Sequence, residues 1–223
     1  MSLAARTPTT ASQTSGTGFS IAAPSGLSAG DTIIIFSAAL SGTIGPLSGF
    51  TDSGETVTSA FHARGFMRIA DGTEGSTFAI TSAGTPGAAV CMAYSGGFGP
   101  DPAAPPAFVS ASSSSSLPVP GVTLASSGDW LVWFGAAMRN ANATPGTVSP
   151  PAGFTAQANT GPVASGSESC YLLGADLQSA QAAGPTGTLT GTTSLSVPRG
   201  GFLVGIRAAP ATGSGGFMMS AQF

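Results

Sequence analysis

The sequence predicts an all-β protein, a single jelly-roll-like antiparallel β-sandwich built from two pseudo-repeated halves. Three observations point there. The most apolar stretch, Gly128-Asp129-Trp130-Leu131-Val132-Trp133-Phe134-Gly135-Ala136-Ala137-Met138, has an earlier counterpart in Gly30-Asp31-Thr32-Ile33-Ile34-Ile35-Phe36-Ser37-Ala38-Ala39-Leu40. Each opens on a Gly-Asp turn signal and runs through β-branched and aromatic residues, which suit a buried strand. Residues 61–70 alternate strictly, with Phe61, Ala63, Gly65, Met67 and Ile69 on one face and His62, Arg64, Phe66 and Arg68 on the other. The same succession of elements then appears twice along the chain.

Residues 1–18 form a Ser/Thr-rich arm, expected to lie extended or to be ordered by a partner. Residues 19–23 read as a short first strand, 24–30 as a turn and 31–40 as the first core strand. A loop over 41–48 leads to Gly49-Phe50-Thr51. After the alternating strand, Asp71-Gly72-Thr73-Glu74-Gly75 is a turn, because Asp-Gly accommodates the positive φ of tight turns. Residues 77–81 and 88–95 complete a first half spanning 19–95. Residues 96–116 read as a Gly/Pro/Ser linker, since the Gly- and Pro-rich 96–106 is unsuited to a regular strand and the serine run 112–116 continues it.

The second half, 117–208, repeats the order. Residues 117–122 open it, 129–138 answer 31–40, Gly153-Phe154-Thr155 answers Gly49-Phe50-Thr51, 168–176 answers 64–71, 187–192 answers 77–81, and 201–208 answers 88–95. The interval from Asp129 to Phe154 exceeds that from Asp31 to Phe50 by six residues, and the excess falls in the Asn/Pro/Gly-rich 139–151, an enlarged loop. Two units are too few for a solenoid, so they are expected to share strands between two sheets of one sandwich. Residues 209–223 are a Gly-rich tail with apolar Phe217, Met218, Met219 and Phe223: a frayed terminus or a peptide that docks on a neighbouring subunit, these four being the candidate interface residues.

Both core strands are apolar on both faces. In a lone antiparallel sandwich the outer face is usually wet, so something must cover it: a loop or terminus of the same chain, or another subunit. Self-association into a homo-oligomer is the leading expectation, because large bare apolar patches are rare on monomers.

Composition excludes more chemistry than it suggests. Charged residues make up 7% of the 223, all six basic ones are arginine, and the formal net charge is −3. That leaves no basic surface able to follow a phosphate backbone, so no nucleic-acid binding is expected. The aliphatic content rules out a disordered chain. The apolar run 130–138 is far shorter than the roughly 20 residues of a spanning helix. No apolar segment follows Arg6, so no cleaved secretory leader is expected. Cys91 and Cys170 lie inside predicted strands and read as buried thiols, although a disulfide stays open. One histidine makes a zinc site improbable, and no metal ligand set, cofactor motif or catalytic residue is assigned.

His62 is the sole candidate for a Ser-His-Asp or Cys-His arrangement and sits mid-strand with no nucleophile motif beside it. With Arg64 and Arg68 it forms a small cationic stripe, suited to a carboxylate or acidic sugar or to pairing with local acids. Asp31 and Asp129 follow Gly in the turn before a core strand, where structural roles suffice. The turn at 71–74 lacks the repeated acidic ligands of a calcium loop.

The sequence also resembles a β-sandwich family of tailed-phage virions. The residues that carry this are Gly30-Asp31-Thr32-Ile33-Ile34-Ile35, Gly49-Phe50-Thr51, Ala89-Val90-Cys91-Met92-Ala93-Tyr94 before Gly96-Gly97, and Asp101-Pro102. They continue in Gly128-Asp129-Trp130-Leu131-Val132, Pro150-Pro151-Ala152-Gly153-Phe154-Thr155, Ala183-Gly184-Pro185-Thr186-Gly187-Thr188 and residues 201–206, so that the likeness covers about 19–208. Relatives often have Trp where both Gly-Phe-Thr motifs here have Phe. The resemblance implies a non-enzymatic structural protein located in the virion and assembled in the host cytoplasm: a minor tail or tail-tip component, or alternatively a capsid decoration or head spike. Its partners would be copies of itself and other virion proteins. A second class is a carbohydrate-binding module for host surface glycans, reading sugars through loops such as 139–151 and 96–106; a glycosidase is the least favoured.

Overall fold

The structure is a computed structural model that describes residues 3–40, 42–58, 61–82, 84, 86–100, 107–139 and 146–208. The described residues contain strands, turns and bends and no helix. The first half contributes β1 (Ala4–Ala5), β2 (Thr9–Gln13), β3 (Gly18–Ala22), β4 (Thr32–Ala39), β5 (Thr51–Thr58), β6 (Phe61–Ile69), β7 (Thr77–Thr81), β8 (Gly87–Ser95) and β9 (Gly97–Pro100). The second contributes β10 (Ala107–Val119), β11 (Thr123–Leu124), β12 (Trp130–Arg139), β13 (Val148–Ser149), β14 (Thr155–Asn159), β15 (Val163–Ser165), β16 (Glu168–Leu177), β17 (Gly184–Pro185) and β18 (Leu189–Ala208). The strands pair antiparallel throughout.

Each half builds one large sheet, apart from β9, which joins the sheet of the second half, and from the two-stranded pairs β3–β7 and β11–β17. The first sheet runs β5-β6-β4-β8, with β1 and β2 both on β8; the second runs β14-β16-β12-β18-β10, with β15 on β16 and β13 and β9 on β18. The expected sharing of strands between the two sheets is thus limited to β9. The reason lies in the connections. Between β4 and β8 the chain leaves the first sheet only for β7, and between β12 and β18 it leaves the second only for β17; it passes from one large sheet to the other between β8 and β10. There β9 already pairs with Ile206 and Ala208 of the second sheet, while the Gly99 N–H donates to Thr32 Oγ1 of the first (3.1 Å).

The sheets pack face to face through the side chains that period-two alternation assigns inward. Ile34, Phe36, Ala38, Met67, Val90 and Met92 meet Val132, Phe134, Leu172, Phe202 and Val204. At the centre, Phe36 stacks on Phe202 (ring centroids 6.1 Å) and both lie against Phe134 (5.7 and 6.0 Å). Such rings contribute beyond the area they remove from water.

The outer faces are covered by the chain itself. The β3–β7 pair lays Ile21, Phe78 and Ile80 over Ile33, Ile35, Phe66 and Cys91, and Ile44, Leu47 and Phe50 extend the cover. On the other side, Leu117, Val119, Val122 and Leu124 from β10, β11 and the turn between them cover Leu131, Trp133, Leu173 and Leu203. Of the two coverings the sequence left open, the structure therefore has the intramolecular one. The apolar outer faces give no reason for self-association.

The arm before residue 19 is extended, β1 and β2 forming an edge of the first sheet through Ala4–Ser95 and Thr9–Cys91 registers. Two further expectations change. The linker 96–116 contains β9 and most of β10. Its serines tolerate strand geometry because β10 is an edge whose register β18 dictates, with shifts between Ala111 and Ser114 and between Ser114 and Ser116. Residues 189–192 belong to β18 and pair with β10, so the counterpart of β7 is β17, which pairs with β11 as β7 does with β3.

Candidate functional site

The stripe foreseen on β6 exists as geometry. His62, Arg64 and Arg68 lie half-buried, alternating with buried Phe61, Ala63, Gly65 and Met67, and Phe66 of the same row packs in the outer core. The arginines are engaged locally. Arg64 Nη1 donates to the Ile44 carbonyl (2.7 Å) and Nη2 to Asp52 Oδ2 (2.9 Å), with its guanidinium 5.9 Å from the Phe66 ring centroid. Arg68 Nη2 bridges Asp71 Oδ2 (2.5 Å) and Glu74 Oε1 (3.2 Å), 5.9 Å from the Phe50 ring centroid. The Asp-Gly turn is tied down by the same acids: Glu74 accepts the Asp71 and Gly72 N–H groups (2.8 and 3.0 Å), and Asp71 accepts from the Thr73 N–H and hydroxyl. The Thr73 hydrogen bonds, with Arg68 beside them, hold the Asp71 carboxyl below the usual carboxylate range. Both arginines of the stripe thus pair with local acids. In register, His62 stands between Ala39 and Val57.

The turn aspartates do structural work of the same kind. Asp31, almost fully buried, accepts Arg6 Nε and Nη2 and the Ser28 N–H (3.0, 3.2 and 3.0 Å), latching the N-terminal arm to the start of β4. Asp129 is buried at the start of β12 and accepts the Ala208 N–H (3.0 Å), holding the end of β18.

The polar cluster that sequence reasoning missed centres on Asp176. Reading 168–176 as the answer to 64–71 matches this residue with Asp71, which opens the turn at 71–75. The registers correct that: Asp176 lies opposite Val132 as Met67 lies opposite Ile34, so it replaces a core methionine on the inner face. It is completely buried and accepts three neutral donors, the Tyr94 hydroxyl from the opposite sheet (2.9 Å), Gln157 Nε2 (2.8 Å) and Gln178 Nε2 (3.1 Å). Burial foremost, then the Asp176 charge and hydrogen bond, push the Tyr94 hydroxyl well above its ordinary range. Half-buried Trp130 stands edge-on to Tyr94 at 6.1 Å between centroids. A signal was present in the sequence: Cys170, Leu172, Gly174 and Asp176 share a parity, which puts an acid on an apolar face. Such an acid must find hydrogen-bond donors there.

Cys91 and Cys170 are free and buried, and burial pushes both thiols far above their ordinary value. They belong to different cores, Cys91 under the β3–β7 pair and Cys170 between the sheets. Among the described residues no three His, Cys, Asp or Glu side chains stand together as metal ligands, and no helix is long and apolar enough to cross a membrane. Phe217, Met218, Met219 and Phe223 lie outside the described residues, as do 101–106 and 140–145 of the two loops considered for sugar binding. Comparison with known protein families, with curated proteins and with solved structures finds no match.

Proposed function

We propose that this chain is a non-enzymatic structural protein that acts through protein–protein assembly, as a minor tail or tail-tip component of a tailed-phage virion, with a capsid decoration or head spike as the nearest alternative. The virion assignment is supported by the sequence motifs set out above. The non-catalytic part is supported by one observation: the charged side chains with described partners hold strands and turns together. Arg6, Arg64, Arg68 and Arg199 are bonded within the fold, as are Asp31, Asp52, Asp71, Glu74, Asp129 and Asp176. Catalytic groups, by contrast, are aimed at a substrate position.

With the outer faces covered, association with other copies or other virion proteins falls to the strand edges and the terminal tail. Val57, on edge strand β5, is 54% exposed, the most exposed large hydrophobic side chain among the described residues. An unpaired edge with an apolar side chain is a ready contact for another chain. The test is incorporation. Tagged protein expressed during particle production is expected in purified particles, and a deletion of 213–223 or a Val57→Lys change is expected to lower its content. Particles lacking the protein altogether would remove the reading.

Glycan binding is the second reading, favoured by half-buried Trp130, which stands edge-on to Tyr94, whose hydroxyl shares Asp176 with the amides of Gln157 and Gln178. A glycan array with the parent protein and Trp130→Ala tests it, and silence of the parent across bacterial surface sugars would discard it.

A further inference from the structure

The interface between the two sheets has the form of a two-fold dimer interface within one chain. In the first sheet Gly65 pairs with Phe36, and Phe36 pairs on its other side with Val90. In the second, Gly174 pairs with Phe134, and Phe134 pairs on its other side with Phe202. The two glycines thus occupy the same station, and so do Val90 and Phe202. Across the interface the relation is reciprocal. A Cβ on Gly65 would stand 2.7 Å from the Phe202 ring, and one on Gly174 would stand 2.9 Å from Val90 and 2.7 Å from the Met92 sulfur. Each half therefore offers a notch at the station where the other offers a knob, the i-to-j and j-to-i relation of an isologous dimer. The central strands match in the same way, Ile34, Phe36, Ala38 and Leu40 against Val132, Phe134, Ala136 and Met138, all in one core.

Two more features belong to this interface. The Tyr94–Asp176 hydrogen bond joins the sheets, and β9 of the first half adds a strand to β18 of the second. Both are contacts a separate molecule could make, the latter being strand addition to a sheet. Neither requires the chain to be continuous through 101–106.

We infer that residues 3–100 and 107–208 recognise each other as partners in their own right, so that the fold survives loss of the covalent link and two copies of the chain can exchange halves. The partner of either half is thus the opposite half of a second copy.

The test uses the full chain with a specific protease site inserted between Pro105 and Pro106. Before cutting, the protein should elute and melt as the parent does. After complete cutting, the two fragments are expected to co-elute at the volume of the uncut protein, with a melting temperature that now rises with concentration. After unfolding and refolding with isotopically heavy cut protein, native mass spectrometry should show heavy–light hybrids. Gly65→Leu in the cut protein is expected to weaken retention by about tenfold or more, because the notch is filled. Fragments that separate or precipitate on cutting would overturn the inference, as would a tight pair indifferent to Gly65→Leu. If the insertion itself prevents folding, co-expression of 1–103 bearing a tag with untagged 104–223 replaces it; recovery of the tagged fragment alone is then the overturning result. No particle or assembly partner enters this experiment, so its failure leaves the proposed structural role untouched, and failure of that role leaves this interface untouched.

Discussion

The two halves solve one packing problem with different side chains. Both set an apolar strand at the centre of a sheet, flank it in the same order, and cover its outer face with a two-stranded pair. On that outer face the first half places Ile35, with Ser37 after it donating to the Ala88 carbonyl (3.2 Å). The second places Trp133, followed by Gly135. A Cβ on Gly135 would stand 2.3 Å from the indole and one on Gly191 2.5 Å. The larger ring fits because two neighbouring side chains have been reduced to hydrogen. One strand order thus accepts an isoleucine or a tryptophan, provided that volume is removed nearby, as close packing demands.

The inner faces differ at one end. Where the first half has Met67, the second has Asp176, and its charge is met by Tyr94 and two glutamines. One end of the sandwich is therefore joined by a polar contact in which the two halves are not equivalent. The edges differ too. The first half builds its arm from β1 and β2, broken around the Arg6–Asp31 latch, whereas the second uses the continuous β10, whose bulges absorb its irregularity.

Several changes would break or sharpen this comparison. Trp133→Ala should cost about 3–5 kcal/mol and Ile35→Ala about 2–5 kcal/mol in urea unfolding, both being completely buried. A loss below about 1 kcal/mol at Trp133 would mean that the ring does not fill the outer core. Next come the notches. Gly65→Ala and Gly174→Ala should each cost about 1–3 kcal/mol from overpacking. Sensitivity at one glycine and indifference at the other would dissolve the reciprocity of the interface. Tyr94→Phe should cost about 1–2 kcal/mol, since Asp176 stays buried with one donor fewer; an unchanged midpoint would show that the hydroxyl does not join the sheets. The smallest effect belongs to the 71–74 turn. The Asp71 carboxyl is held below its unfolded value, so its contribution is present above about pH 4 and is lost as pH falls through the folded value. Asp71→Asn should flatten that acid limb slightly, and because the group is exposed the difference should shrink in high salt. An acid limb identical in parent and variant would show the turn to be indifferent to the charge.

Much of the architecture was legible because its signals are local. The strict alternation of 61–70 gave β6 with its inward and outward faces, and the Gly-Asp openings located β4 and β12 to within a residue. The apolar outer faces were read correctly as needing cover, but the cover comes from short or turn-rich pieces whose pattern is too brief to show where they dock. Leu124 and Ile80 look alike in sequence to any strand residue. Strand β10 was hidden because serine carries little preference for a sheet, and only the register with β18 makes it a strand. Asp176 was misplaced because two acids, Asp71 and Asp176, invited an alignment that ignored parity. The cationic stripe was legible as a row of residues but not as a set of pairs. Its partners Asp52, Ile44 and Glu74 arrive from loops and an edge strand whose positions depend on tertiary packing.

The reciprocal notches also constrain how this molecule can change over time. Bulk added at position 65 would have to be given up at position 202, and bulk added at 174 would have to leave 90 or 92. Substitutions there should therefore travel as couples whose members lie in opposite halves of the gene. A drifting lineage would preserve the summed volume of each couple more faithfully than the identity of either member.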